Sequence, residues 1–309
     1  MFRQLLRLAS VALLSLSTTA ARYPSFGTLT TNTSAGIMNV VINNTFSTIN
    51  VIDFHVLADL ANLIEELQRN DTDVRVVLFS SANTEYFTSH LDLNFFLPGY
   101  QSPLPLFDPE NPQRPFPVSI LYNITQLPQA TIAIVEGRAR DFGNELLLAF
   151  DMRFALNSPS VQLSQFETSF GFNPAGGSQI LAQSLIGRGR AFEYSFSAYN
   201  IDAVTAAQIG WVNRAFDTKS ELYGYVQALA ERIALFPPAG IQATKKGINA
   251  VSLIPVDAWI QQARNILEVL APSPVSQALL KKFVQATNNQ TIGPVDLNYG
   301  DGNDIVQLL

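Results

Sequence analysis

The sequence predicts an α/β fold with one core and a helical C-terminal part. Three features carry that reading. Apolar, β-branched runs at residues 37–42, 74–80 and 130–135 have the density of strands. Stretches of helical period separate them, so strands and helices alternate. Later the helical patterns dominate, punctuated by Pro237, Pro238, Pro255 and Pro272. Alternation early and helices late describe a single α/β core with a helical extension.

Composition narrows the function. Hydrophobic residues make up 47% of the 309 and charged residues 14%, against about 25% charged in a typical soluble domain. The surface therefore relies on Asn, Gln, Ser and Thr. Nineteen basic against 25 acidic residues give a net charge of -6, which argues against nucleic acid, because that binding needs clustered Lys and Arg. The chain has no Cys and two His, so a disulfide framework, a thiolate nucleophile and a Cys-based zinc site are excluded, and no metal is expected.

From the N-terminus, Arg3 and Arg7 precede an apolar run at residues 8–21 that closes at Arg22. It is shorter than the ~20 residues that span a bilayer. Residues 1–21 read as a secretory signal peptide, which makes the mature chain a secreted protein without a transmembrane segment. The competing reading is a mitochondrial presequence, since Arg, Leu and Ser dominate and no acid precedes Asp53. Sequons at Asn32, Asn43, Asn70, Asn123 and Asn289 agree with the secretory route and a glycoprotein.

Residues 22–36 read as a polar leader before the first strand. Asp53 caps a helix carrying Leu57, Leu60, Ile64 and Leu67 on one face, with His55 as an ordinary packing residue, and Asn70-Asp71 ends it. The strand at 74–80 leads into a turn and a helix start near residues 88–96. Seven prolines between 98 and 117 exclude a regular helix or central strand and point to a lid or binding loop. Next, the strand at 130–135 reaches a turn containing Asp141, Phe142 and Gly143. Glu145 follows in the first turn of a helix whose next residues are apolar. Glu167 precedes a Pro174-to-Gly177 turn, after which come a helix from Asp202 to Gly210, a strand at 211–216 and a long helix from Ser220 to Phe236.

Four blocks, in this order, resemble the crotonase superfamily of enoyl-CoA hydratases and isomerases: DTDVRVVLFSSANTEYFTSHLDL, ATIAIVEGRARDFGNELLLAFDMRFA, FETSFGFNPAGGSQIL and IDAVTAAQIGWVNRAFD. The last follows the family pattern almost position by position. The resemblance implies a crotonase-like spiral of β-β-α repeats over residues 22–236, a helical region over 237–309 that covers the site, and homotrimers or hexamers. It also implies an acyl thioester substrate, with coenzyme A present only as part of that substrate and no separate cofactor.

By the same resemblance, Glu145 and Glu167 fall on the two acids that move protons in the family's hydratases, whereas isomerases usually need only the second. The backbone N–H groups of Leu91 and Phe142 fall on its oxyanion hole. His90 stands where the family has Gly, and with Gly143 is a candidate for substrate contact; Asp92 is a structural acid. Two departures stand out. Asp141-Phe142 replaces the first two glycines of a triplet, and the basic residues that commonly follow the first strand and hold the nucleotide of coenzyme A are absent, leaving Lys245 and Lys246 to meet phosphate. The first expectation is a hydratase or isomerase stabilising an enolate. The alternatives are an exported lyase, hydrolase or cyclase acting on a non-CoA carbonyl compound, and a secreted binding protein of the same fold.

Overall fold

The computed structural model describes residues 25–69 and 73–301. The signal-peptide reading of residues 1–21, the sequon at Asn70 and the helix stop at Asn70-Asp71 lie outside them.

The polar leader contains a strand. β1 (Leu29–Ser34) pairs antiparallel with β2 (Ile37–Ile42) through Ala35 and Gly36, whose φ angles of 51° and 78° have the sign a two-residue hairpin turn requires. Most of β1 is exposed at a sheet edge. A polar sequence suits that position and hides the strand from a search for apolar runs.

Helix α1 (Phe54–Arg69) is capped by Asp53, whose Oδ1 accepts from the His55 N–H at 2.9 Å and the Val56 N–H at 3.1 Å. It crosses to β3 (Val76–Ser81), which runs parallel to β2. From here the chain repeats one step. A strand joins the six-stranded sheet, the next joins a four-stranded sheet, and a helix or irregular segment carries the chain back. β3 is followed by β4 (Tyr86–Thr88), β5 (Ala130–Val135) by β6 (Arg138–Arg140), and β7 (Met152–Leu156) by β8 (Gln162–Ser164). With β9 (Ile201–Asp202) and β10 (Arg214–Phe216), the sheet orders are β1-β2-β3-β5-β7-β10 and β4-β6-β8-β9. This is the β-β-α spiral.

Between β4 and β5, the helix start at 88–96 is only a short 3₁₀ turn, Leu93–Phe96, capped by Asp92. The proline-rich segment stays irregular as far as α2 (Phe116–Gln126). Pro115 caps that helix and Pro117 lies in its first turn, where no intrahelical N–H bond is lost. The exclusion of helix therefore fails only at the end of the proline run. Helix α3 (Phe142–Ala149) follows β6, and α4 (Ser178–Ile186), α5 (Arg188–Ser197), α6 (Ala203–Ile209) and α7 (Lys219–Ala234) follow β8. Asp202 caps α6, and Gly210 ends it at φ 91°. Beyond them lie α8 (Pro238–Ser252), α9 (Val256–Asn265), α10 (Pro274–Ala286) and α11 (Pro294–Asn298). Among the described residues no helix is long and apolar enough to cross a membrane.

Two constraints fix the start of α3. Arg140, almost fully buried, donates to the Asp296 carbonyl and to Gln162 Oε1, and the Tyr86 hydroxyl donates to the Asp296 carboxylate, so α11 is tied to the four-stranded sheet. Gly143 lies against the backbone oxygens of Thr88 and Ser89, leaving no space for a Cβ. A Gly143→Ala variant is expected to lose about 1–3 kcal/mol of stability, measured by urea denaturation; an unchanged midpoint would show that the strand yields.

Candidate active site

A cavity of about 330 Å³ opens above the start of α3. Its walls are apolar, with Leu93, Phe96, Phe170 and Phe172 prominent, and the proline-rich segment closes one side with Tyr100, Leu104 and Pro117. Ala263 and Ile266, from the C-terminal helices, close another. Three carboxyl groups reach it: Asp141, Glu145 and Glu167.

Glu145 is 3% exposed in the first turn of α3. Its Oε1 accepts from the Ala175 N–H at 2.8 Å and the Gly176 N–H at 2.7 Å. These bonds fix the carboxyl, and N–H donors to an ionised acceptor are strong. Gly176 is required by this approach, since a Cβ there would press on Leu121 and on the Glu145 carboxyl.

Glu167 begins a 3₁₀ turn, Glu167–Phe170, and is equally buried. Burial holds its carboxyl well above the usual glutamate range, and the neighbouring carboxylates of Asp141 and Glu145 push it in the same direction. Behind it runs an amide chain. In the orientation that satisfies both neighbours, the Gln165 side-chain nitrogen lies 2.7 Å from Glu167 Oε1 and its oxygen accepts from Asn144 Nδ2 at 3.1 Å. Asn144 Oδ1 accepts in turn from Trp211 Nε1 at 3.0 Å.

Leu91 and Phe142 both line the cavity, and the Leu91 amide is taken by a side chain of the protein. The Leu91 N–H donates to Asp141 Oδ2 at 3.2 Å, and Phe142, the next residue after Asp141, starts α3. Asp141 adopts φ 48° and ψ −128°, a conformation that favours glycine. Its carboxyl shares the cavity wall with that of Glu167. Burial raises the Asp141 pKa, opposed by nearby His90 and by the Leu91 hydrogen bond.

Comparison with known proteins agrees with this geometry. A family model described as enoyl-CoA hydratase/isomerase matches residues 32–284. The chain belongs to the enoyl-CoA hydratase/isomerase family. It is 28% identical to the short-chain-enoyl-CoA hydratase of Clostridium acetobutylicum over 69% of this chain and 78% of that one. It is 30% identical to the mitochondrial enoyl-CoA hydratase domain-containing protein 2 of Homo sapiens over 69% and 71%. A crystal structure of a provisionally named enoyl-CoA hydratase from Streptomyces avermitilis superposes with a TM-score of 0.79 at 31% identity, covering 90% of this chain and 96% of that one.

Within this enoyl-CoA hydratase/isomerase fold, the structure brings Glu145, Glu167, Leu91 and Phe142 to one cavity and leaves other candidates outside it. His90 is not in the cavity wall. Its Nδ1 faces the Leu91 carbonyl at 3.0 Å, its ring packs edge-on against Phe166 and Phe283, and its Nε2 lies 4.0 Å from Asp296 Oδ1. Gly143 is likewise packed against the strand, and neither residue lines the cavity. Lys245 is not available to phosphate, because it is buried with its Nζ 2.9 Å from Asp151 Oδ2; Lys246 remains exposed. Asp92 is structural as expected, capping the 3₁₀ turn and accepting from Gln290 at 2.7 Å.

The carboxyl of Asp141 escaped the sequence reading, which noted only that Asp141-Phe142 replaces two glycines; the signal was an acid in a glycine position.

Glu167 gives a pH prediction. Its folded-state pKa lies above the 4.5 of a free glutamate, so the folded protein binds more protons in that interval. Stability from this group is complete below the unfolded value and is lost as pH rises towards the folded value. Glu167→Gln removes that dependence. The melting temperature of the wild type is expected to fall relative to the variant as pH rises from about 5 to about 8, and parallel curves would refute the assignment.

Proposed function

We propose that the protein is a hydratase of an α,β-unsaturated acyl thioester, within the hydratase/isomerase activity of its family. The observation that carries this reading is the contrast between two carboxyls in one apolar cavity: Glu145 is clamped by two backbone N–H groups, and Glu167 is buried, which pushes its pKa well above the usual glutamate range. A fixed acceptor and a protonated acid are what addition of water requires.

Glu145 takes a proton from water as the water oxygen bonds to the β-carbon. Electron density moves to the thioester oxygen, and Glu167 then delivers its proton to the α-carbon. Exchange with solvent returns the Glu145 proton to Glu167. The amides of Leu91 and Phe142, at a helix start, stabilise the oxygen while it carries charge. Coenzyme A enters only as the thiol part of the substrate. An isomerase would use Glu167 alone, and the tight hold on Glu145 favours hydration.

A second reading, an exported lyase, hydrolase or cyclase acting on a non-CoA carbonyl compound, is supported by the missing basic residues, the burial of Lys245 and the carboxylate at the oxyanion hole. The address has two candidates as well. The names of the human and Bos taurus relatives carry the word mitochondrial, which supports a presequence; exposed sequons at Asn32 and Asn43 support secretion and glycosylation. Exposed Leu235, Val251 and Phe196 support the trimer or hexamer that the fold implies.

Glu145→Gln is expected to lower kcat on crotonyl-CoA by about 10²–10⁴-fold with an unchanged circular dichroism spectrum, and full activity would remove Glu145 from the mechanism. Mass determination of the native protein's mature N-terminus and glycans distinguishes the addresses. Cleavage near Ala21 with attached sugar indicates secretion; an unglycosylated chain recovered from mitochondria indicates the presequence.

A further inference from the structure

We propose that Asp141 is a specificity-determining residue: its carboxylate is the built-in occupant of the oxyanion hole, and a substrate carbonyl gains the Leu91 amide only by displacing it. The inference rests in part on the hydratase reading, because it concerns which oxygen that amide serves, but the occupancy itself is a property of this chain alone.

Four observations meet at this residue. The Leu91 N–H, one of the two amides of the hole, donates to Asp141 Oδ2 at 3.2 Å. The backbone at Asp141 holds φ 48° and ψ −128°, costly for any residue with a Cβ, so the position is maintained against strain. The side chain faces the cavity alongside Glu145 and Glu167 rather than solvent, and it is 9% exposed. Finally, it lines the same cavity as Glu167, the acid that the proposed reaction uses.

The selectivity follows from the strength of the Leu91 bond. Hydrogen bonds to an ionised acceptor are about twice as strong as those between neutral partners, and Asp141 is tethered at the hole while a substrate must arrive from solution. A neutral thioester oxygen therefore competes poorly in the ground state. It competes better as it acquires enolate charge, so the carboxylate weakens binding of neutral carbonyl compounds in general. The Leu91 amide, once freed, forms part of a site for a small carboxylate.

Two variants test this. Asp141→Gly removes the carboxylate and suits the backbone angle; Asp141→Asn keeps the shape and removes the charge, and Asn tolerates positive φ. The first readout needs no enzyme activity. Sodium acetate is expected to raise the melting temperature of the Asp141→Gly protein and to leave the wild type unchanged, because only the variant has the Leu91 amide free to bind it. The second readout is turnover of crotonyl-CoA, for which kcat/KM of Asp141→Gly is expected to rise about tenfold or more, with Asp141→Asn between it and the wild type. Two results overturn the proposal: acetate failing to stabilise folded Asp141→Gly, or both folded variants turning over more slowly than the wild type, which would make Asp141 a participant in the reaction. Selective acetate stabilisation without crotonyl-CoA turnover in any form would support the occupied hole and count against the hydratase reading instead.

Discussion

Three carboxyl groups share an apolar cavity with no Lys or Arg among the described residues of its wall, and much of the surrounding structure deals with that fact. Like charges held close in a poorly solvated space cannot all persist. Each group is accommodated differently. Glu145 receives two N–H groups from the 174–177 turn, Asp141 receives that of Leu91, and the Glu167 pKa is pushed well above the usual glutamate range by burial. The protein thus supplies backbone donors where it supplies no cation, and those donors can reach the cavity only if several loops end there together.

The spiral makes that meeting possible. Every repeat passes from the six-stranded sheet to the four-stranded one and then turns, so the ends of β4, β6 and β8 lie side by side. Leu91, Asp141 and Glu167 follow those three strands in turn. The Arg140 N–H donates to the Ser89 carbonyl and the Asp141 N–H to the Ser164 carbonyl, which locks the three loops in register at the cavity floor. The buried Arg140 and Tyr86, held to Asp296, join the C-terminal end of the chain to the same sheet. Chemistry in the cavity is therefore coupled to packing far along the sequence.

Much of this was legible beforehand. Apolar runs identified β2, β3 and β5, cap chemistry identified α1 and α6, and the order of four motif blocks identified the spiral and the two glutamates. What escaped has physical reasons. β1 is a polar edge strand, and hydrophobic periodicity does not mark such strands. Pro117 sits in the one part of a helix that tolerates proline. The directions of His90 and Lys245 depend on partners distant in sequence, Phe283 and Asp151, and no local pattern encodes them. The carboxylate of Asp141 reaches the Leu91 amide because of a positive φ, which the sequence alone does not announce at a residue other than glycine.

The replaced glycine triplet shows how two requirements on one motif separate. At position 143 the requirement is steric, because backbone oxygens of the adjoining strand fill the space a Cβ would take, and glycine is kept. At position 141 it is conformational, because the side chain has a cavity to enter. A residue with a Cβ in that conformation costs about 1–3 kcal/mol. A hydrogen bond to a charged group contributes about 1.5–3 kcal/mol, so the Leu91 donor offsets a strain of the same order. Aspartate can stand there because its carboxylate uses one of the donors that make the position an oxyanion hole. The feature that equips the fold to stabilise an enolate oxygen is thus the one that lets a side chain of the protein fill the same place.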